Sequence, residues 1–282
     1  MPDVAAMTAI GVQESVKSRR AILRTPSLLA KRCALSSRDI HVGVSPDHQV
    51  VVSFHGAFRW RVGHRTRLID ANSALLVFAG EEFFADHVAG IGHANIILTP
   101  SAELAEELFR GTDPAAPLRP ADHGLRIDSH ALLAAGESER LAASEIAFAL
   151  MQQVAGTPPC AAVPNPRIVE RAKALLHASP CDNLALEDVA QAVGVSPTYL
   201  TQLFTRSEGR PLYRYQRHLR LARALNELPG CDDLTGLALD LGFANHSHFT
   251  TVFKRAFGFT PSDFRARRTP RPKNVKARRR PH

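Results

Sequence analysis

The chain has 282 residues, 45% of them apolar, and a formal net charge of +8, which suits about two ordinary domains. No apolar run approaches the ~18–20 residues that a membrane-spanning helix needs, and residues 1–24 lack the apolar block and cleavage site of a secretory leader. Cys33, Cys160, Cys181 and Cys231 are scattered with no Cys-x-x-Cys pair, which favours free thiols in a reducing, cytoplasmic compartment over disulfides or a zinc site.

Residues 1–30 are mixed in character and are expected to be loose, ahead of a first domain over residues 31–155. From Ile40 to Leu98 short apolar runs and alternation take over. Phe58, Trp60 and Val62 alternate with Arg59 and Arg61, the period-two signature of a strand with one buried face. Val50–Phe54, Leu75–Phe78 and Asn95–Leu98 are further strand candidates, set apart by turn formers at Pro46-Asp47, Gly63-His64 and residues 70–73. Short strands at this spacing suggest a small sandwich or barrel. Ser101 suits the N-cap of a helix to about Arg110, with Glu103 and Glu106 near its positive end. A proline-rich connection, residues 111–125, precedes a second helical region from about Ser129 to Val154, whose helices either pad the strand domain or offer a dimerisation surface.

The stretch from Gly156 to Pro166 holds four prolines, and residues 156–165 are read as the linker to an all-helical domain at 166–268. Charge changes sign there. Residues 1–155 carry 15 Lys/Arg against 17 Asp/Glu, and residues 156–282 carry 20 against 10, so −2 and +10 make up the +8. A basic module that meets a polyanion follows one that need not.

Within the second half one pattern occurs twice. Ala190-x-x-x-Gly194, then Leu200, Phe204 and Gly209, is echoed by Ala238-x-x-x-Gly242, then Phe249, Phe253 and Gly258, at an offset of 48 residues before the turn and 49 after it. Each copy reads as helix, tight turn, helix: the small Ala permits close crossing and Gly takes the left-handed conformation that ends the first helix. The spacing predicts a helix from Asn165-Pro166 through Leu176, then helices over 186–193 and from Ser196-Pro197. A connecting helix at 211–228 and helices over 234–241 and 245–256 follow, with a last one opened by Thr260-Pro261. Residues 269–282 form a basic tail expected to be disordered.

In a helix-turn-helix the second helix enters the major groove and presents its N-terminal residues to base edges. With Leu200, Leu203 and Phe204 inward, Thr198, Thr201, Gln202 and Thr205 face out; with Phe249, Val252 and Phe253 inward, His246, Ser247, Thr250 and Thr251 do so. Gln pairs bidentately with adenine, and Ser or Thr bonds bases or touches a thymine methyl. Arg206, Lys254, Arg255, Arg265, Arg267 and Arg268 are the phosphate candidates. On the connecting helix Leu212, Tyr215, Leu219 and Ala222 lie on one side and Leu221, Leu225 and Leu228 on another, so each half is expected to pack on one copy.

The run from Ala238 through Gly242-Phe243, Asn245, Phe249, Phe253-Lys254-Arg255, Phe257-Gly258 and Thr260-Pro261 to Phe264-Arg265 resembles the signature of AraC/XylS-type transcription regulators. Gly194-Val-Ser196-Pro197 to Phe204, and Arg217-His-Leu219-Arg220-Leu221-Ala-Arg223-Ala224, agree with it. The resemblance covers about Pro166 to Arg268 and implies a seven-helix, two-headed DNA-binding domain. The layout of the first half resembles, loosely, the cupin-like sensing domain that often accompanies it. The fold expected is therefore α+β, a small cupin-like β-barrel with helices followed by two helix-turn-helix units joined by a long helix.

The function this implies is a sequence-specific transcription regulator that binds promoter or operator DNA as a homodimer. RNA polymerase and a small-molecule effector of unknown identity are its further partners, and no membrane, cofactor or metal is expected. Phe54, Phe58, Trp60, Phe78 and Phe83 are the candidate effector pocket, with core packing the alternative for each. A first domain that only dimerises is a second reading. A third is a cupin-type metal-dependent enzyme with a DNA-binding appendage, which would need His41, His55, His64, His87 and His93 to converge without the usual ligand spacing.

Overall fold

The computed structural model describes residues 18–35, 40–88, 92–135, 139–179, 182 and 184–268. The strands are β1 (Ser18–Arg24), β2 (Leu28–Leu35), β3 (His41–Val44), β4 (Gln49–His55), β5 (Ala57–Val62), β6 (Arg65–Asp70), β7 (Ser73–Val77), β8 (Glu82–His87), β9 (His93–Pro100) and β10 (Leu118–Pro120). Helix α1 (Ala102–Leu108) precedes β10, and α2 (His123–Ala134) and α3 (Arg140–Gly156) follow it. The second half holds α4 (Pro166–Ala178), α5 (Leu186–Val193), α6 (Pro197–Glu208), α7 (Leu212–Glu227), a 3-10 turn (Leu228–Gly230), α8 (Leu234–Asp240), α9 (His246–Phe257) and α10 (Pro261–Arg268). Among the described residues no helix is long and apolar enough to cross a membrane.

The strands form an antiparallel six-stranded sheet, β1-β2-β9-β4-β7-β10, and a four-stranded one, β3-β8-β5-β6. Side chains alternate across the larger sheet, as the pleat requires. Val51, Leu75, Val77 and Ile97 meet Phe58, Ile69 and Ala85 of the smaller sheet. Their neighbours Val50, Val52, Leu76, Ile96 and Leu98 face α1, α2 and α3 instead. The larger sheet is thus covered on both faces, which is why β7 is buried at all five positions.

Residues 18–30, expected to be loose, form β1 and the start of β2. Arg19, Arg20 and Arg24 hide the strand signal, but Leu23 is buried and β1 pairs with β2 along its length. The proline-rich connection is also more ordered than its composition suggests: it contains β10, and Asp122 caps α2 by accepting from the Leu125 N–H at 2.8 Å. Residues 158–163 are irregular, yet the Cys160 N–H donates to the Leu118 carbonyl at 2.9 Å, so this stretch lies along β10.

The helical half has two cores. Leu212, Tyr215 and Leu219 of α7 join the first, around Phe204, and Leu221, Ala224, Leu225 and Leu228 join the second, around Phe249 and Phe253. The division of α7 follows the two apolar faces visible in its sequence. Both units also touch the first domain: Ile127 of α2 packs into the second core, and α4 meets β6 through buried polar groups.

Candidate nucleic-acid interface

The two turns are built alike. Gly194 and Gly242 have φ of 78° and 76°, and the next N–H, from Val195 or Phe243, reaches back to the carbonyl of Ala190 or Ala238 at 3.0 Å in both. Such a return bond satisfies a carbonyl left over at the helix end. Ala190 and Ala238 are fully buried where each helix pair crosses. The second helices start on side-chain caps: Ser196 accepts from the Tyr199 N–H at 3.2 Å, and Asn245 from the His248 N–H at 2.8 Å.

These caps set the rotation of the helices. Leu200, Leu203 and Phe204 of α6 are buried, and Thr198, Gln202 and Arg206 are exposed on the other side. Phe249 and Phe253 of α9 are buried, and Ser247, Thr251, Lys254 and Arg255 are exposed. The remaining expected residues are half-buried. The Thr201 hydroxyl donates to the Pro197 carbonyl at 2.9 Å. Thr250 Oγ1 and His246 Nε2 lie 3.4 Å apart, so those two partly satisfy each other. His248, which the inward–outward reading passed over, is exposed in the first turn of α9.

Arg265 is not a loose cation: its guanidinium donates to the carbonyls of Cys231 (2.9 Å) and Asp232 (3.3 Å), tying α10 to the start of α8. Arg267 and Arg268 close α10, and their side chains lie outside the described ones; residues 269–282 lie outside altogether. Arg220, which stands in the Arg217–Ala224 stretch of the family signature, is 9% exposed and donates to the Gly242 carbonyl in the second turn and the Asp182 carbonyl ahead of α5, each at 2.9 Å. One buried cation therefore clamps both units to α7. That helix has 16 residues, about 24 Å at 1.5 Å each.

The first domain encloses a cavity of about 270 Å³ between its sheets. Phe58, Trp60 and Phe83 line it, with Trp60 and Phe83 stacked at 4.3 Å and Phe58 on His93 at 4.4 Å. Phe54 and Phe78 do not belong to it. They sit on the other side of the six-stranded sheet, Phe78 against Phe109 and Phe54 against His130, because the even positions of β4, and those of β7 continued to Phe78, face the helices. The five histidines do not all gather, although His41 and His93 both line the inter-sheet cavity. His87 and His93 pair at 3.1 Å between Nδ1 atoms, His64 lies in the β5–β6 turn and His55 at the seam of the two halves. Among the described residues no three metal-ligating side chains are grouped.

A helix-turn-helix domain model matches residues 189–267, both copies of the repeat. Regulatory protein SoxS of Salmonella typhimurium is 36% identical over 85 residues, 30% of this chain and 79% of that protein. Regulatory protein PocR of the same organism is 33% identical over 105 residues, 36% of this chain; the match spans only about a third (35%) of PocR's length. The structure of ToxT from Vibrio cholerae aligns over 86% of this chain and 100% of that one at 14% identity, with a TM-score of 0.38. Two helix-turn-helix units on one connecting helix, with 36% identity over 79% of SoxS, define the class as a double helix-turn-helix protein. The chain belongs to the AraC/XylS-type family.

Proposed function

We propose that this chain is a two-headed, sequence-specific DNA-binding regulator of transcription, acting at promoters in the cytoplasm with RNA polymerase and assigned no catalysis. Residues 31–155, together with β1 and the start of β2 ahead of them, form its sensing and pairing domain, 156–165 its linker and 166–268 its reader, and two copies act together. The observation that carries this is the matched pair of turns that leaves the outward faces of α6 and α9 exposed at either end of α7. Thr198 and Gln202 read one groove segment, and Ser247 and Thr251 the next, with the half-buried Thr201, Thr205, His246 and Thr250 supporting them. Arg206, Lys254 and Arg255 hold phosphates, joined by Arg267 and Arg268. The inter-sheet cavity receives the effector. Its stacked rings, with Arg19 and Lys31 also in its wall, favour a small molecule with an apolar body and an anionic group.

The test is a salt titration with a specific and a random duplex. Gln202→Ala and Thr251→Ala are expected to relax preference at separate positions of the site, each costing about 1–3 kcal/mol there. Lys254→Ala is expected to weaken both duplexes alike and to lower the salt slope by about one. Equal losses on both duplexes for all three variants would remove the base-reading assignment.

A further inference from the structure

We propose that Asp70 is the catch of an interdomain latch that couples the inter-sheet cavity to the first helix-turn-helix unit through strand β6. This rests on reading the chain as a regulator whose first domain senses and whose second reads DNA.

Strand β6 has two faces with two different neighbours. Ile69 points into the core between the sheets and pairs with Phe58, which lines the cavity. Leu68 and Asp70, one residue to either side, meet the second half instead. The Asp70 carboxylate is fully buried, and its Oδ2 accepts from His177 Nε2 of α4 at 2.7 Å and from the Tyr215 hydroxyl of α7. Its Oδ1 accepts from the Asn72 N–H at 2.8 Å and so shapes the β6–β7 turn.

Helix α4 also takes the place of a neighbouring strand along the edge of β6. The Leu68 N–H donates to Glu170 Oε2 at 2.5 Å, and its carbonyl accepts from Lys173 Nζ at 2.9 Å. Lys173 is fully buried, with Glu208 at 3.5 Å. Burial would lower the Lys173 pKa, but Glu208, Asp70 and Glu170 outweigh it and hold the ammonium above its usual range. Burial would likewise raise the Asp70 carboxyl, but the His177 hydrogen bond and the Lys173 charge hold it below its usual range. Both ions therefore persist where water is excluded.

Apart from the Tyr215 ring, which packs on Phe204, the first unit does not draw its core from these groups: Val169, Ala172 and Leu176 supply it from α4. Buried ion pairs are costly to form and strongly unfavourable to half-break, so such a contact is made or broken as a whole. Discrete contacts of that kind let a small shift at one site move a packed element at another. A ligand that displaces Phe58 moves Ile69, and with it Leu68 and Asp70.

Amide hydrogen exchange on the full chain without DNA tests the latch. Asp70→Asn keeps an Oδ1 for Asn72 but sets an amide where His177 and Tyr215 donate; Tyr215→Phe removes one donor and keeps the ring. In both, β6 and α4 are expected to exchange on the order of tenfold faster, with α9 and α10 unchanged. Phe58→Leu is expected to alter α4 exchange in the otherwise natural chain and to have no further effect beside Asp70→Asn. Unchanged α4 protection, a uniform rise along the chain, or the same response to Phe58→Leu in both backgrounds would overturn the proposal. Should Asp70→Asn fail to fold, Tyr215→Phe carries the same comparisons. Failure of the DNA reading shows separately, as absence of duplex affinity in the unaltered protein.

Discussion

Gly56 and Gly194 both need the left-handed backbone, with φ of 66° and 78°, yet they are replaceable to different degrees. A Cβ on Gly194 meets nothing within 4 Å, so Gly194→Ala is expected to cost only the backbone penalty of about 1–2 kcal/mol. A Cβ on Gly56 would lie 2.0 Å from the Gly92 carbonyl oxygen, so Gly56→Ala adds a backbone clash and is expected to cost distinctly more. Urea unfolding of the two variants checks the order, and equal losses would contradict it. In the second core Phe253 is fully buried among Phe249, Phe257, Phe259 and Phe264. Phe253→Ala is expected to cost about 3–5 kcal/mol and to abolish binding by the second unit, read by thermal unfolding together with duplex affinity.

At the scale of elements, the seam between α2 and α7 is sensitive to acid. Arg126 stands 3.2 Å from His123 Nδ1 and Arg210 2.5 Å from His218 Nδ1, and the two rings face each other at 4.3 Å. Each nitrogen can accept from a guanidinium only while its ring is neutral. Burial first, and then the arginines, push the pKa of His123 down to about 4 and that of His218 to about 2. Above the ordinary value of 6.5 both states are neutral and nothing is lost; below it the unfolded chain takes protons that the folded chain refuses. Melting temperature is therefore expected to fall as pH drops from about 6.5 toward 4, less steeply in His218→Gln. Asp70 acts lower down: its stabilisation is present above the unfolded value of 3.8 and fades only below it. A melting temperature that holds or rises between pH 6.5 and 5 would contradict this.

The helical elements were legible because their signals are local. Ser196-Pro197, Gly194 and Gly242, and the three-and-four spacing of Leu and Phe, mark α5, α6, α8 and α9 within a residue or two of where they lie. The strands were less so. Arginines mask β1, and alternation reveals that β4 and β7 have two faces without saying which neighbour covers each, so the sequence does not separate Phe54 and Phe78 from the rings of the inter-sheet cavity. The latch had no signal at all: Asp70 and His177 are 107 residues apart, and neither stands in a motif.

Across the whole molecule two reading heads are held by one helix of about 24 Å, roughly 10 Å less than the ~34 Å repeat of the major groove on one face of DNA. The positive charge gathers in the half that carries them, +10 in residues 156–282 against −2 before, so attraction to DNA is directed there. Buried Arg220 keeps the heads in fixed relation, and Arg220→Ala is expected to weaken binding to long duplexes while leaving single-groove contacts near their usual strength. Hydroxyl-radical footprinting on a selected operator reads whether both heads enter successive grooves. Each copy of the chain should protect two segments on one face, centred about 10–10.5 base pairs apart, with Phe253→Ala erasing one of them. A single protected segment per copy, unaffected by loss of the second unit, would contradict it.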